Sequence, residues 1–158
     1  MTVNGQQVSG DVPVRTSLAD YLRDTLRLTG THLGCEHGVC GACNVFLDGV
    51  SVRSCLMLAV QADGASVTTI EGLSDDPVGG AVQRALARRG GLQCGFCTPG
   101  FVVTLVEECR KRTASPGAPG SIDEESLRIL LSGNLCRCTG YAGIVKAGLD
   151  VLGPADSE

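Results

Sequence analysis

Nine cysteines in 158 residues constrain this chain more than any other feature. Eight of them fall in clusters or just beside one. Cys35, Cys40 and Cys43 lie inside "GCEHGVCGAC", with Cys55 beyond it. Cys94 and Cys97 lie inside "QCGFCTPG", and Cys136 and Cys138 inside "NLCRCTG". The opening stretch "MTVNGQQVSGDVPV" has neither a basic start nor an apolar run, so it does not read as a secretory signal. The purely apolar runs are far too short for a membrane span. The expected compartment is therefore the reducing cytoplasm. Disulfides are rare there, and metal binding is the leading explanation for clustered thiols.

Cys35, Cys40, Cys43 and Cys55 stand as C-x4-C-x2-C-x11-C. This is the spacing of plant-type [2Fe–2S] sites. Two irons bridged by two sulfides need four thiolates, two on each iron. Three come from one loop wrapped around the cluster and the fourth from a separate element. Such a loop must turn back on itself and aim backbone N–H groups at sulfur. Gly34, Gly38 and Gly41 permit those backbone angles, and Ala42 is the next smallest residue. Zinc is the competing reading. Zinc sites usually pair C-x2-C with a second C-x2-C or with histidines, and the C-x4-C step departs from that habit.

Cys94 and Cys97 form C-x2-C, and Cys136 and Cys138 form C-x-C. Taken alone, the C-x2-C reads equally as a redox disulfide or as half a zinc site. Position adds to the signal. Cys94 and Cys97 precede an expected helix start, where unsatisfied N–H groups favour thiolates. Cys136 and Cys138 fall in the turn between two expected helices. In an antiparallel bundle the two turns lie at the same end, and the four thiolates converge. Cys109 falls on an apolar helical stripe and reads as a small buried hydrophobe.

Around these clusters the pattern changes character once. Asn4-Gly5 and Asp48-Gly49 mark two hairpins, and "SVTTI" (66–70) reads as a further strand. Between the hairpins, "TSLADYLRDTLRLTG" predicts a helix burying Leu18, Tyr21, Leu22 and Leu26, capped by Thr16 or Ser17 and ended by Gly30. From position 76 the period is helical. One helix carries Val78, Val82 and Ala85 and stops at Gly90-Gly91. A second is capped by Thr98, with Pro99 at its first position and a stripe of Phe101, Val102, Leu105, Val106 and Cys109. After a Pro/Gly/Ser loop at 113–121, Ser121 and Glu124 form a capping box for a third helix with Leu127, Leu130 and Leu131. A fourth, over roughly 140–152, buries Tyr141, Ile144, Val145, Leu149 and Leu152. The class is α+β. Aromatics are only 3 % of the chain, so Leu, Val and Ala must fill both cores, and small cores commonly lean on a metal.

Together, "GCEHGVCGAC…C", "QCGFCTPG" and "GNLCRCTGY" resemble the small iron–sulfur subunit of molybdenum hydroxylases, the group of xanthine dehydrogenase, aldehyde oxidoreductase and aerobic carbon monoxide dehydrogenase. The resemblance runs from about Val3 to Leu152. It implies an N-terminal β-grasp plant-type ferredoxin domain (1–74) and an all-α four-helix-bundle domain (75–158), each with one [2Fe–2S] cluster. It further implies a large partner subunit holding a molybdenum–pterin cofactor and a medium partner holding FAD. Single electrons then pass from molybdenum through the helical-domain cluster and the ferredoxin-domain cluster to FAD or another acceptor. By the same resemblance Gln93 hydrogen-bonds the pterin, and Cys138 lies beside the pterin amine.

Other residues are read more plainly. His37 is a loop residue facing solvent or the surroundings of the cluster, and His32 a structural residue at the loop entry. Asn44 is unusual for a strand start. Glu107-Glu108 reads as a solvated face, since adjacent helical residues do not face each other. Arg88-Arg89 and "RKR" (110–112) suit helix C-termini, with contact to a partner left open. Arg137 either stabilises a reduced cluster or meets the pterin phosphate. A net charge of −4 without a basic cluster speaks against nucleic acid. Two rival functions stand beside the electron-transfer subunit: a free-standing ferredoxin-like carrier and a zinc-stapled adaptor.

Overall fold

Two tight turns organise the sheet. Asn4-Gly5 and Asp48-Gly49 take left-handed angles at both central positions (φ +49° and +79°, +48° and +85°), the turn geometry that matches strand twist. They join β1 (Thr2–Val3) to β2 (Gln6–Gln7) and β3 (Asn44–Leu47) to β4 (Val50–Arg53). With β5 (Ser66–Thr68) they make a five-stranded sheet in the order β2-β1-β5-β3-β4. β1 runs parallel to β5, and the other neighbours are antiparallel. The computed structural model describes residues 1–114 and 121–153, so most of the expected Pro/Gly/Ser loop lies outside the described residues. Among the described residues no helix is long and apolar enough to cross a membrane.

Strand alternation places the sheet between two cores. Val45 packs with Val3 and Val67 against Leu18 and Leu22. The next residue, Phe46, points the other way and joins a core of helical residues that includes Leu86, Phe101, Leu105 and Ile144. One face of the sheet therefore carries the N-terminal helix and the other carries the helical half. The mixed sheet with helices agrees with the expected α+β class.

The first helix departs from expectation. α1 (Leu18–Asp20) starts as expected, with the Ser17 hydroxyl accepting from the Asp20 N–H at 3.0 Å. It then widens into a π-helical turn, Tyr21–Thr25, closed by the Leu26 N–H on the Tyr21 carbonyl. Arg27 (φ +60°) ends the run, not Gly30. Gly30 serves a close approach instead: its N–H reaches the Glu71 carboxylate at 2.8 Å, and an added methyl would sit 2.4 Å from the Ile70 side chain.

In the second half, α2 (Pro77–Arg88), α3 (Thr98–Ala114), α4 (Glu124–Leu131) and α5 (Ala142–Leu152) pack around one core. Three readings change here. Thr98 is already helical, and its hydroxyl is buried without a hydrogen-bond partner, so it does not cap α3. Gly100 to Val106 are all buried, because α3 has the sheet on one side and helices on the other; a single stripe understates it. The cap of α4 is Asp123, whose carboxylate accepts from the Ser126 N–H at 2.9 Å, in place of the Ser121/Glu124 box. The expected surface charges are engaged within the chain. Glu107 accepts from the N–H and hydroxyl of Ser51 at 2.9 and 2.7 Å, satisfying the outer strand β4. Arg89 forks onto Asp150 at 2.7 and 2.8 Å, and Arg112 pairs with Glu108 at 2.8 Å.

Asp76 ties α2 to α3. One carboxylate oxygen caps α2 at the Gly79 N–H (2.7 Å), and the other meets Arg110 at 2.8 Å. Burial opposes ionisation, but those bonds outweigh it and hold the Asp76 pKa below the ordinary carboxylate value. A depressed carboxylate contributes stability above its unfolded pKa, and the contribution is lost as pH falls through the folded one. Asp76→Ala is expected to cost about 1–2 kcal/mol near neutral pH. The difference from the parent should shrink below about pH 4, measured by urea unfolding of the metal-loaded protein.

Candidate metal centres

The first thiol set sits on a loop that glycine makes possible. Gly38 (φ +85°) and Gly41 (φ +73°) take left-handed angles, and methyl groups there would meet Leu56 and Asn134 at 2.5 Å. Gly34 leaves only 3.2 Å between a would-be methyl and the Cys40 sulfur. The loop turns its amides inward, and the Cys40 N–H lies 3.3 Å from Cys35 Sγ. N–H groups of His37, Cys40 and Val39 draw the Cys35 pKa down to about 6, the His37 contribution being the largest. Cys55, from the turn after β4, is pushed up to about 11 by burial and by the neighbouring Cys43 thiol.

The second set comes from the two turns that flank the helical core. Cys94 and Cys97 precede the start of α3, and Cys136 and Cys138 lie between α4 and α5. Cys138 Sγ is 3.5 Å from Cys94 Sγ. Cys97 is raised to about 12 by burial and by the Cys136 thiol beside it. Cys136 is lowered, since the Thr139 hydroxyl (3.2 Å) and nearby amides outweigh its burial. Tyr141 (φ +65°) closes this loop. Its hydroxyl donates to the Asn134 carbonyl and accepts from the Cys136 N–H, both at 3.0 Å.

The thiols gather four and four: Cys35 neighbours Cys40, Cys43 neighbours Cys55, and Cys35 also acts on Cys55; Cys94 neighbours Cys138, Cys97 neighbours Cys136, and Cys94 also acts on Cys97. Four thiols in each loop system supply the donor set that two irons bridged by sulfide need. Cys109 stays apart from both sets, half-buried against the helical core, its pKa raised to about 11 by burial.

Other predicted residues fall around these loops. The Gln93 amide donates to the Cys138 carbonyl at 3.1 Å, so both stand at one exposed spot. His37 is exposed and turns Nδ1 to the Cys35 carbonyl. His32 stacks on Phe96 (ring centroids 4.8 Å) and reaches its carbonyl at 2.7 Å, a structural contact between the halves. Arg137 is exposed between Cys136 and Cys138.

Sequence reading passed over the residues that join the two loops. The Leu135 N–H donates to the Cys40 carbonyl at 2.9 Å. Asn134 is buried and donates to the Gly41 carbonyl at 3.3 Å, and its own carbonyl oxygen accepts from Thr104 at 3.0 Å. Asn44, the odd strand residue, is buried and donates to the same Thr104 hydroxyl. Gly100 lets α3 pass directly over the first loop, since a methyl there would lie 2.1 Å from the Gly41 carbonyl. The signals were a buried-pattern Asn and a Gly-Asn before the last cysteines, neither of which names its partner.

This geometry, with two thiol-bearing loops on one α+β scaffold, defines a two-cluster iron–sulfur protein. The N-terminal residues 1–68 match the 2Fe-2S iron-sulfur cluster binding domain, and residues 69–149 match the [2Fe-2S] binding domain. The gamma subunit of caffeine dehydrogenase from Pseudomonas sp. (strain CBB1) is 57 % identical over 93 % of this chain and 86 % of the relative. The structure of quinoline 2-oxidoreductase from Pseudomonas putida 86 superposes with a TM-score of 0.84 at 43 % identity, covering 94 % of this chain and 88 % of that one. Aldehyde oxidoreductase from Desulfovibrio gigas superposes at 0.78 with 40 % identity over 95 % of this chain, which spans 16 % of that longer polypeptide. The chain belongs to the family of small [2Fe–2S] subunits of molybdenum hydroxylases.

Gly100→Ala is expected to force α3 away from the Gly41 carbonyl and cost about 1–3 kcal/mol. Thermal unfolding should show the loss, and iron analysis should show the first loop retaining less metal than the second.

Proposed function

We propose that this chain is the electron-transfer subunit of a molybdenum hydroxylase complex. Cys35, Cys40, Cys43 and Cys55 would hold one [2Fe–2S] cluster in a β-grasp ferredoxin domain, residues 1–74. Cys94, Cys97, Cys136 and Cys138 would hold the other in a four-helix-bundle domain, residues 75–158. The observation that carries this reading is the gathering of eight thiols, four and four, on two adjoining loop systems. A [2Fe–2S] cluster, when bound, takes up and releases one electron at a time. The chain's own residues supply thiolates, inward-facing amides and a fixed spacing between the loops.

Partners follow from what is exposed. Cys94 and Cys138 reach the surface beside Gln93, and Leu92, Phe96 and Leu135 stand exposed around them. An apolar rim around exposed ligands suits a docked protein better than a free-standing carrier. We assign this spot to the large molybdopterin-binding subunit, with Gln93 and Cys138 toward the pterin. The first loop would face a medium FAD-binding subunit. The complex would work in the cytoplasm, where thiols stay reduced before metal loading. No substrate residue is assigned to this chain.

Protein purified without air should be red-brown. It should contain about four irons and about four acid-labile sulfides per chain and give paramagnetic signals after dithionite. A colourless, zinc-loaded product would refute the reading. Leu135→Asp should keep its iron yet co-purify with the large subunit about tenfold less well, measured by pull-down through this chain.

A further inference from the structure

Arg53 ends β4, just before the turn that carries Cys55. Its half-buried guanidinium donates in three directions. Nε reaches the Gly38 carbonyl at 3.2 Å, one Nη reaches the Asn44 side-chain carbonyl, and the other reaches the Gly133 carbonyl at 2.5 Å. Gly38 lies inside the first cysteine loop, Asn44 follows Cys43, and Gly133 opens the approach to Cys136. One side chain thus grips both cysteine loops. A planar fork is suited to this, because it fixes several acceptors at set angles.

Two further features point beyond mechanical support. All three acceptors are neutral, and among the described residues no carboxylate forms an ion pair with Arg53. Arg89, Arg110, Arg112 and Arg128 each rest on a carboxylate, whereas Arg53, like Arg23 on the Thr29 and Thr31 carbonyls, donates to neutral oxygens. The second feature is the peptide it holds. The Gly38 carbonyl and the Val39 N–H belong to one planar trans unit and point in opposite directions. Drawing the carbonyl toward Arg53 turns the Val39 N–H the other way, within the loop whose next amide, Cys40 N–H, lies 3.3 Å from Cys35 Sγ. A cation on the carbonyl also polarises the N–H beyond it.

We propose that Arg53 is a positioning residue that raises the reduction potential of the centre held by Cys35, Cys40, Cys43 and Cys55, acting through the Gly38–Val39 peptide. The inference rests on the electron-transfer reading above. Reduction adds one electron and one negative charge among those four thiolates, and no bond forms or breaks. A half-buried cation resting on neutral oxygens stabilises the reduced form more than the oxidised one, as does a strengthened N–H···S bond. The Gly133 contact has no such lever. The peptide N–H beyond it, that of Asn134, bonds the Leu131 carbonyl and not a sulfur. The second centre is therefore expected to move much less.

The test is a redox titration of the intact complex followed by paramagnetic resonance, comparing parent, Arg53→Gln and Arg53→Lys. The signals are assigned with Cys55→Ser, and Arg128→Gln serves as a distant-charge control. In Arg53→Gln the first centre's reduction constant is expected to fall about tenfold, a shift of about 59 mV for one electron. The second centre should move by less than a third of that shift. Arg53→Lys keeps the charge and loses the fork, and should fall by about threefold. If the Gln variant fails to hold iron, the Lys variant decides by the same downward shift. An iron-replete variant with unchanged potentials overturns the proposal. So does an equal shift of both centres, or loss of iron in both variants. A parent protein without iron or signal would overturn the electron-transfer reading itself, whatever the variants do.

Discussion

The structure depends on a close approach between two loops that are far apart in sequence. The Cys40 carbonyl accepts from the Leu135 N–H, and the Gly41 carbonyl accepts from the Asn134 amide beneath the first turn of α3. Backbone polar groups brought this close lose their water and must find partners in each other. Gly41 and Gly100 make the approach possible, because side chains there would occupy the space now filled by backbone and by Asn134. With the loops locked, both thiol sets hold fixed positions relative to one another.

Behind that contact lies a small buried polar network. Asn44 and Asn134 share the Thr104 hydroxyl, and Arg53 reaches Asn44 from the strand end. Networks of this kind are costly when half satisfied and rigid when complete. Here a residue from β3, one from α3 and one from the approach to Cys136 meet at one point, so sheet, helix and loop cannot shift independently. Phe46 adds the apolar part of the same joint, with Arg110 lying 5.0 Å from its ring centroid. The rigidity suits a protein whose task depends on distances between redox groups.

Much of this was legible beforehand, for local reasons. The hairpins at Asn4-Gly5 and Asp48-Gly49 are two-residue turns with strong backbone requirements. The cysteine spacing describes a loop that must wrap a compact object. Helices α2 and α5 carry clear apolar faces. Errors gathered where two candidate groups compete for one role. Thr98 and Ser121 each looked like a cap, but the helices start elsewhere relative to them, and only Asp123 reaches the free amide at α4. Glu107 looked solvated and instead satisfies Ser51 across the sheet edge. Regular 3.6-residue spacing hid the wider turn at Tyr21, which lets Leu22, Leu26 and Leu28 share one core.

By itself the sequence determined the class of the chain and the eight thiols proposed as ligands, because spacing within a loop limits which atoms can converge. It also determined where turns fall, since glycine, asparagine and aspartate tolerate the required backbone angles at low cost. Tertiary structure decided which thiols neighbour each other, and that Asn44, Thr104 and Asn134 form one cluster. It also decided that Arg53 spans both loops. Those facts depend on contacts between residues tens of positions apart, and chain spacing carries no information about which distant carbonyl a side chain will find once water is excluded.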